Sequence, residues 1–325
     1  MSGIQSLKVA EVLKPRDISL KEFYAKRNRV LVIRDTGGLG DILMLRMMFE
    51  DFKRIMPDAY IVLACPLQYH DAVRDHPYID EVIDARYVEL SEFMLSYNVS
   101  TACGKHERRV APLADKHRSD IWAHRCGIDL EYHDMHLSVP EGVTGACRAY
   151  LETLGGGPIV LLSPVSAIPS KDLDEKQSNE IIAGLRKIGC SVACLHKSEL
   201  KGVDAPTISA ESVIDFLGFI NAADYIVTVD TATFHAAGGL KKPMVAIFSW
   251  ADGKVYGRWF EKFILIQRHR DDGDWDCGPC YLWHKCPRKI DGPRKPCITE
   301  ITPQEVIEAV ERMMRIWPCE GTHVG

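Results

Sequence analysis

Gly37-Gly38-Leu39-Gly40-Asp41 follows the apolar run Val30-Leu31-Val32-Ile33 and leads into apolar residues at helical spacing. A glycine turn between a buried strand and a helix aims backbone N–H groups and the positive end of the helix dipole at the carboxyl edge of a sheet. Asp41 adds a carboxylate to that mouth. It is read either as a general base beside an anionic substrate or as a residue complementing the helix dipole, worth about 0.3–1 kcal/mol. The loop fails the dinucleotide fingerprint: after Gly38 and Gly40 the third glycine position falls on Leu43, and no acidic residue closes the second strand near Cys65. It is not a GxxxxGK[ST] phosphate loop either, because the lysine and hydroxyl residue are missing after the last glycine.

Two further strand ends carry polar chemistry. Asp230-Thr231-Ala232-Thr233-Phe234-His235 follows an apolar strand and opens a helix, so its N–H and hydroxyl groups suit phosphate, and His235 offers another donor. The plainer alternative is a helix capped by Asp230 or Thr231 with His235 buried in the core. Ser163-Pro164-Val165-Ser166, followed by Ser170-Lys171, is the other loop, where Lys171 either neutralises a diphosphate or lies on the surface. Cys277, Cys280, Cys286 and Cys297 have a spacing compatible with four-thiolate zinc, with free thiols or a local structural clip as the alternative. Trp275, Tyr281, Trp283 and His284 beside them are candidates for lining an acceptor. Asp172-Leu173-Asp174 and Asp272-Gly273-Asp274 match the D-x-D pattern of metal-dependent glycosyltransferases, but such short matches are common in a chain with 45 acidic residues. Both are read as solvated faces, the first at a helix start.

Short apolar strands alternating with longer helical patterns must position these loops. Strands are expected at residues 30–33, 60–65 and 82–83, with a helix through Ile42, Leu45, Phe49, Phe52 and Ile55 between the first two. Residues 90–139 are too irregular to assign. The alternation restarts after Gly155-Gly156-Gly157-Pro158, with strands at 159–163, 191–195, 225–229 and 244–248. Thr302-Pro303-Gln304-Glu305 starts a last helix with a capping box. The expected architecture is α/β, with two doubly wound Rossmann-like domains, 1–154 and 155–325, and a cleft between their carboxyl edges. The last helix, about 303–317, is expected to pack back on the first domain.

With 325 residues, 46% of them hydrophobic and 26% charged, the chain has the composition of a soluble globular protein. A net charge of −5 argues against nucleic acid as a partner. The first 28 residues carry no uninterrupted apolar stretch of the kind a secretion signal needs, and no run reaches membrane-spanning length. Eleven cysteines, an odd number, read mostly as buried thiols in a reducing, cytoplasmic compartment.

Residues 30–41, Pro77-Tyr78-Ile79-Asp80-Glu81-Val82-Ile83, residues 161–171 and residues 224–248 stand in an order that resembles the heptosyltransferase family, glycosyltransferase family 9. The last segment is the most specific. The resemblance implies a GT-B fold and an inverting, metal-independent enzyme without a cofactor, using ADP-heptose to build lipopolysaccharide core. It implies Asp41 as the base that deprotonates the acceptor hydroxyl, Lys171 as the holder of the donor diphosphate, and Asp230, Thr231 and His235, with Ser166 and Ala232, around the donor. Partners would be a nucleotide-diphosphate sugar and a glycan or lipid-linked acceptor, which leaves peripheral membrane contact open. The pattern departs from the family at Ala232, where glycine is usual, at Ser249-Trp250 in place of Gly-Pro, and at Lys171-Asp172-Leu173 in place of Lys-x-Trp. These departures motivate the alternative of a noncatalytic nucleotide-sugar-binding or interaction protein of the same fold.

Overall fold

β1 (Arg29–Ile33) is an apolar strand with its three central residues fully buried. In this computed structural model, residues 28–269, 277–281, 286, 288 and 294–319 are described. Past Gly38 the chain forms α1 (Leu39–Leu45), a 3-10 turn at Arg46–Met48 and α2 (Phe49–Ile55), so the single expected helix is interrupted midway. There follow β2 (Tyr60–Cys65), a 3-10 segment Leu67–Ala72 and β3 (Glu81–Asp84). The unassigned stretch holds β4 (Leu95–Asn98), α3 (Ala102–Val110) and α4 (Arg118–Arg125), and α5 (Glu141–Glu152) follows it. The second half runs β5 (Ile159–Ser163), α6 (Glu175–Lys187), β6 (Ser191–Leu195), β7 (Thr207–Ile208), α7 (Val213–Ala222), β8 (Tyr225–Val229), α8 (Ala232–Gly239) and β9 (Met244–Phe248). It closes with α9 (Gly253–Tyr256), β10 (Phe263–Gln267), α10 (Pro296–Thr299) and α11 (Pro303–Ile316).

Two parallel sheets result, ordered β3-β2-β1-β4 and β10-β9-β8-β5-β6-β7. In the first the strand order reverses at β1, and in the second between β5 and β8. Ligands in open parallel sheets bind outside the carboxyl ends at such reversals. Those ends are the three loops singled out above.

Two helices lie differently from expectation. α11 begins with the predicted capping box, Thr302 and Glu305. Its apolar face, with Val306, Val310 and Met313 fully buried, packs on α6, β9 and β10 of the second sheet rather than returning to the first half. α5, although it precedes the glycine-rich stretch at 155–157, packs along α7 of the second half. Gly218 permits that contact, since a Cβ there would meet Val143 Cγ1 at 2.7 Å. Among the described residues no helix is long and apolar enough to cross a membrane.

The halves also meet directly. α1 packs against α8, and a Cβ on Gly40 would lie 2.6 Å from His235 Cδ2. Gly40 is therefore a close-approach glycine between two helices, whereas Gly37, with φ +102°, makes the turn that precedes them. The fully buried Arg46 fixes the rim segment Leu67–Ala72 by donating to Ala72 O and to Asp75, each at 2.7 Å.

Candidate functional site

A cleft of about 870 Å³ opens where the carboxyl ends of β1, β5 and β8 converge. From the first half come Gly38, Gly40 and Asp41; from the second come Ser166, Lys171, Asp230, Thr231, Ala232 and His235. Folding thus brings together nine of the ten sequence-predicted residues other than the cysteines. Gly37 shapes the turn without lining the cleft.

Asp41 sits in the first turn of α1 with its side chain 14% exposed. Oδ1 accepts from Arg118 Nη1 at 2.6 Å and Oδ2 pairs with Arg34 Nη2 at 3.0 Å. Burial by itself raises the pKa of this carboxyl, but the charges of Arg118 and Arg34 outweigh it and hold Asp41 below the usual carboxylate range. A carboxylate has about four lone-pair sites, so two arginine contacts leave capacity for a substrate hydroxyl.

Arg118 is shared. Its Nε and Nη2 donate to Glu107 at 2.7 and 3.0 Å, and its guanidinium lies 5.1 Å from the centroid of the Tyr256 ring. The Tyr256 hydroxyl in turn donates to Glu107 at 3.1 Å. A chain of charge-assisted bonds thus runs from Arg34 through Asp41, Arg118 and Glu107 to an aromatic residue of the second half. Sequence reasoning missed Arg118, Glu107 and Tyr256. Their pairing depends on folding, and Arg118 and Glu107 lie in the stretch left unassigned.

Across the cleft, Lys171 Nζ pairs with Asp230 Oδ2 at 2.6 Å, with side-chain exposures of 13% and 5%. Thr231 occupies the N-cap position of α8 without a side-chain capping bond, so its hydroxyl is not spent on its own helix. Thr233 is instead buried, sharing a hydrogen bond with Ser163 at 2.9 Å. His235 is 4% exposed, and its Nδ1 has no hydrogen-bond partner among the described residues. Burial lowers its pKa to about 4, so the imidazole is neutral near pH 7. Ser166 is turned inward on its own loop: its N–H and hydroxyl both bond Asp172 Oδ1, at 2.7 and 3.0 Å. Asp172 is therefore a loop-fixing residue rather than part of a solvated D-x-D face, and Asp174 caps α6. The second D-x-D, at 272–274, lies outside the described residues, as do Trp275, Trp283 and His284.

Cys277, Cys280, Cys286 and Cys297 line one small cavity behind Trp250. Burial and then the neighbouring thiols push the Cys297 pKa up to about 12. Among the described residues, however, no group of three His, Cys, Asp or Glu side chains is arranged to hold a metal ion. Tyr281 is buried, with its hydroxyl accepting from Asp252 N, and does not line the cleft.

The paired sheets and the cleft at their reversals define an α/β protein of the GT-B class. Its fold is that of heptosyltransferase structures. The chain is similar to a glycosyltransferase of family 9 from Veillonella parvula DSM 2008 (TM-score 0.67, 13% identity, 90% of this chain and 98% of that one). It is similar to Escherichia coli ADP-heptose lipopolysaccharide heptosyltransferase II (TM-score 0.65, 16% identity, 89% and 99% covered). The heptosyltransferase TibC, described as dodecameric and iron-containing and solved with ADP-D-β-D-heptose, matches at TM-score 0.67 and 17% identity, with 90% and 77% covered. No family model and no curated protein sequence matches the chain.

Proposed function

We propose that the chain is an inverting glycosyltransferase of the family 9 heptosyltransferase kind, moving a sugar from a nucleoside-diphosphate donor to an acceptor hydroxyl. The observation that carries this reading is Asp41 facing Lys171, Asp230 and the start of α8 across one cleft. In a single displacement the acceptor oxygen bonds the anomeric carbon as the bond from that carbon to the diphosphate breaks. Asp41 takes the acceptor proton. Lys171, Thr231 and the N–H groups opening α8 meet the charge that develops on the leaving diphosphate. The two arginines weaken Asp41 as a base but keep it ionised, which suits a proton taken late, once the attacking hydroxyl has become acidic.

Heptose and ADP are the first donor components to test, because heptosyltransferase II and TibC are described as acting on or binding ADP-heptose. The acceptor is a hydroxyl on a glycan or lipid-linked glycan. The purified protein, incubated with ADP-heptose and a panel of other nucleotide sugars, is expected to release the nucleoside diphosphate. Asp41→Asn is expected to bind the same donor within about twofold and to turn over at least about 100-fold more slowly. Unaltered turnover would remove Asp41 from the role of base.

TibC's description as iron-containing directs attention to the four cysteines, whose thiolates suit iron or zinc. As placed, they are not arranged around a metal position, so no step of the transfer is routed through one.

A further inference from the structure

The tryptophan that the family pattern sets two residues after the lysine is leucine here, Leu173, and that leucine is buried in the second half's core. A different tryptophan reaches the lysine. Trp250, just past the end of β9, lines the cleft with its ring centroid 4.8 Å from Lys171 Nζ. Its indole Nε1 donates to Ser170 Oγ at 3.1 Å, which ties the ring to the residue next to Lys171. Its backbone is fixed as well: Trp250 O accepts from Cys280 N at 3.0 Å and Tyr281 N at 2.9 Å.

We infer that Trp250 is a positioning residue that holds the Lys171 ammonium where the donor diphosphate binds, with the 277–281 segment bracing it from behind. Lysine is a flexible point charge on a four-carbon stem, so contacts with both the Trp250 ring and the Asp230 carboxylate restrict where its ammonium sits. This inference rests on the diphosphate reading of Lys171 proposed above. It also accounts for two departures from the family pattern together, since Ser249-Trp250 supplies the aromatic face that Lys171-Asp172-Leu173 lacks.

The test is a double-mutant cycle on nucleoside-diphosphate affinity. ADP, GDP and UDP are titrated calorimetrically into the unaltered protein, Lys171→Ala, Trp250→Leu and the double variant. Trp250→Leu is expected to weaken the bound nucleotide roughly tenfold in the native background. In the Lys171→Ala background it should do so less than about twofold, because the group it positions is gone. Trp250→Phe, which keeps a ring face and loses the indole N–H, should fall between. An equal loss from Trp250→Leu in both backgrounds, or no loss in the native one, overturns the inference and leaves the diphosphate reading standing. Wild-type affinity in Lys171→Ala, or no binding of any of the three nucleotides to the unaltered protein, overturns that reading and the inference with it. If Trp250→Leu does not fold, Ser170→Ala decides: it removes the indole's partner and should weaken binding about threefold, an effect absent without Lys171.

Discussion

Asp41 is paired with the permanently charged Arg118, and the pairing makes a directional claim about pH. Because the guanidinium of Arg118 helps to hold Asp41 below the usual carboxylate range, removing that charge must let its pKa rise. Protonation would abolish the base proposed at Asp41, so the acid limb of kcat/KM against pH should move to higher pH in Arg118→Met. An acid limb that stays in place would mean that another group sets it. The sequence made Asp41, Lys171, Asp230 and His235 visible because each stands at or just past the carboxyl end of an apolar strand. Arg118 and Glu107 stayed hidden for a physical reason: charges on a polar helix look solvated until a partner far along the chain is known. Arg118 and Asp41 are 77 positions apart. Trp250 was visible only as a departure, since its contact with Lys171 is made by folding.

At the scale of elements, all seven anticipated strands are present, but β10, whose run Phe263-Ile264-Leu265-Ile266 is continuously apolar, was not anticipated. β4 was not legible either, because it is only four residues long, lies at a sheet edge and leaves three of its residues exposed. α3, with the sequence ACGKHERRV, buries only Cys103 and Glu107, and so lacks the apolar stripe that marks a helix in sequence. The contact between α1 and α8 yields a stability prediction. Gly40→Ala places a methyl group against the His235 ring and should cost about 1–3 kcal/mol by overpacking, read as a lowered Tm. Adding His235→Ala should return part of that loss, so the two costs would not sum. Additive losses would show that the helices do not meet there in solution.

For the whole molecule, the titration of buried imidazoles matters, and among the described residues burial holds His76, His117 and His235 neutral. Burial depresses His76 and His117 from 6.5 to about 3 and His235 to about 4. As pH falls below 6.5 the unfolded chain takes up protons at these positions while the folded chain does not. The unfolded state then binds more protons, so stability is lost progressively between pH 6.5 and about 3. Asp41 and Glu305, with carboxyls held low, add their losses as pH falls through their ordinary values of 3.8 and 4.5, where the unfolded chain protonates before the folded one. The expected profile is a Tm nearly constant from pH 8 to 7 that drops by several degrees by pH 4.5. A Tm unchanged down to pH 4.5 would contradict the neutral burial of these rings.

The Gly40–His235 contact also governs how the two halves can move. Were the halves to rotate about that contact, each atom would be displaced in proportion to its distance from it. Asp41, one residue from the contact, would hardly shift. The absence of a side chain at position 40 is what sets the pivot so near the chemistry.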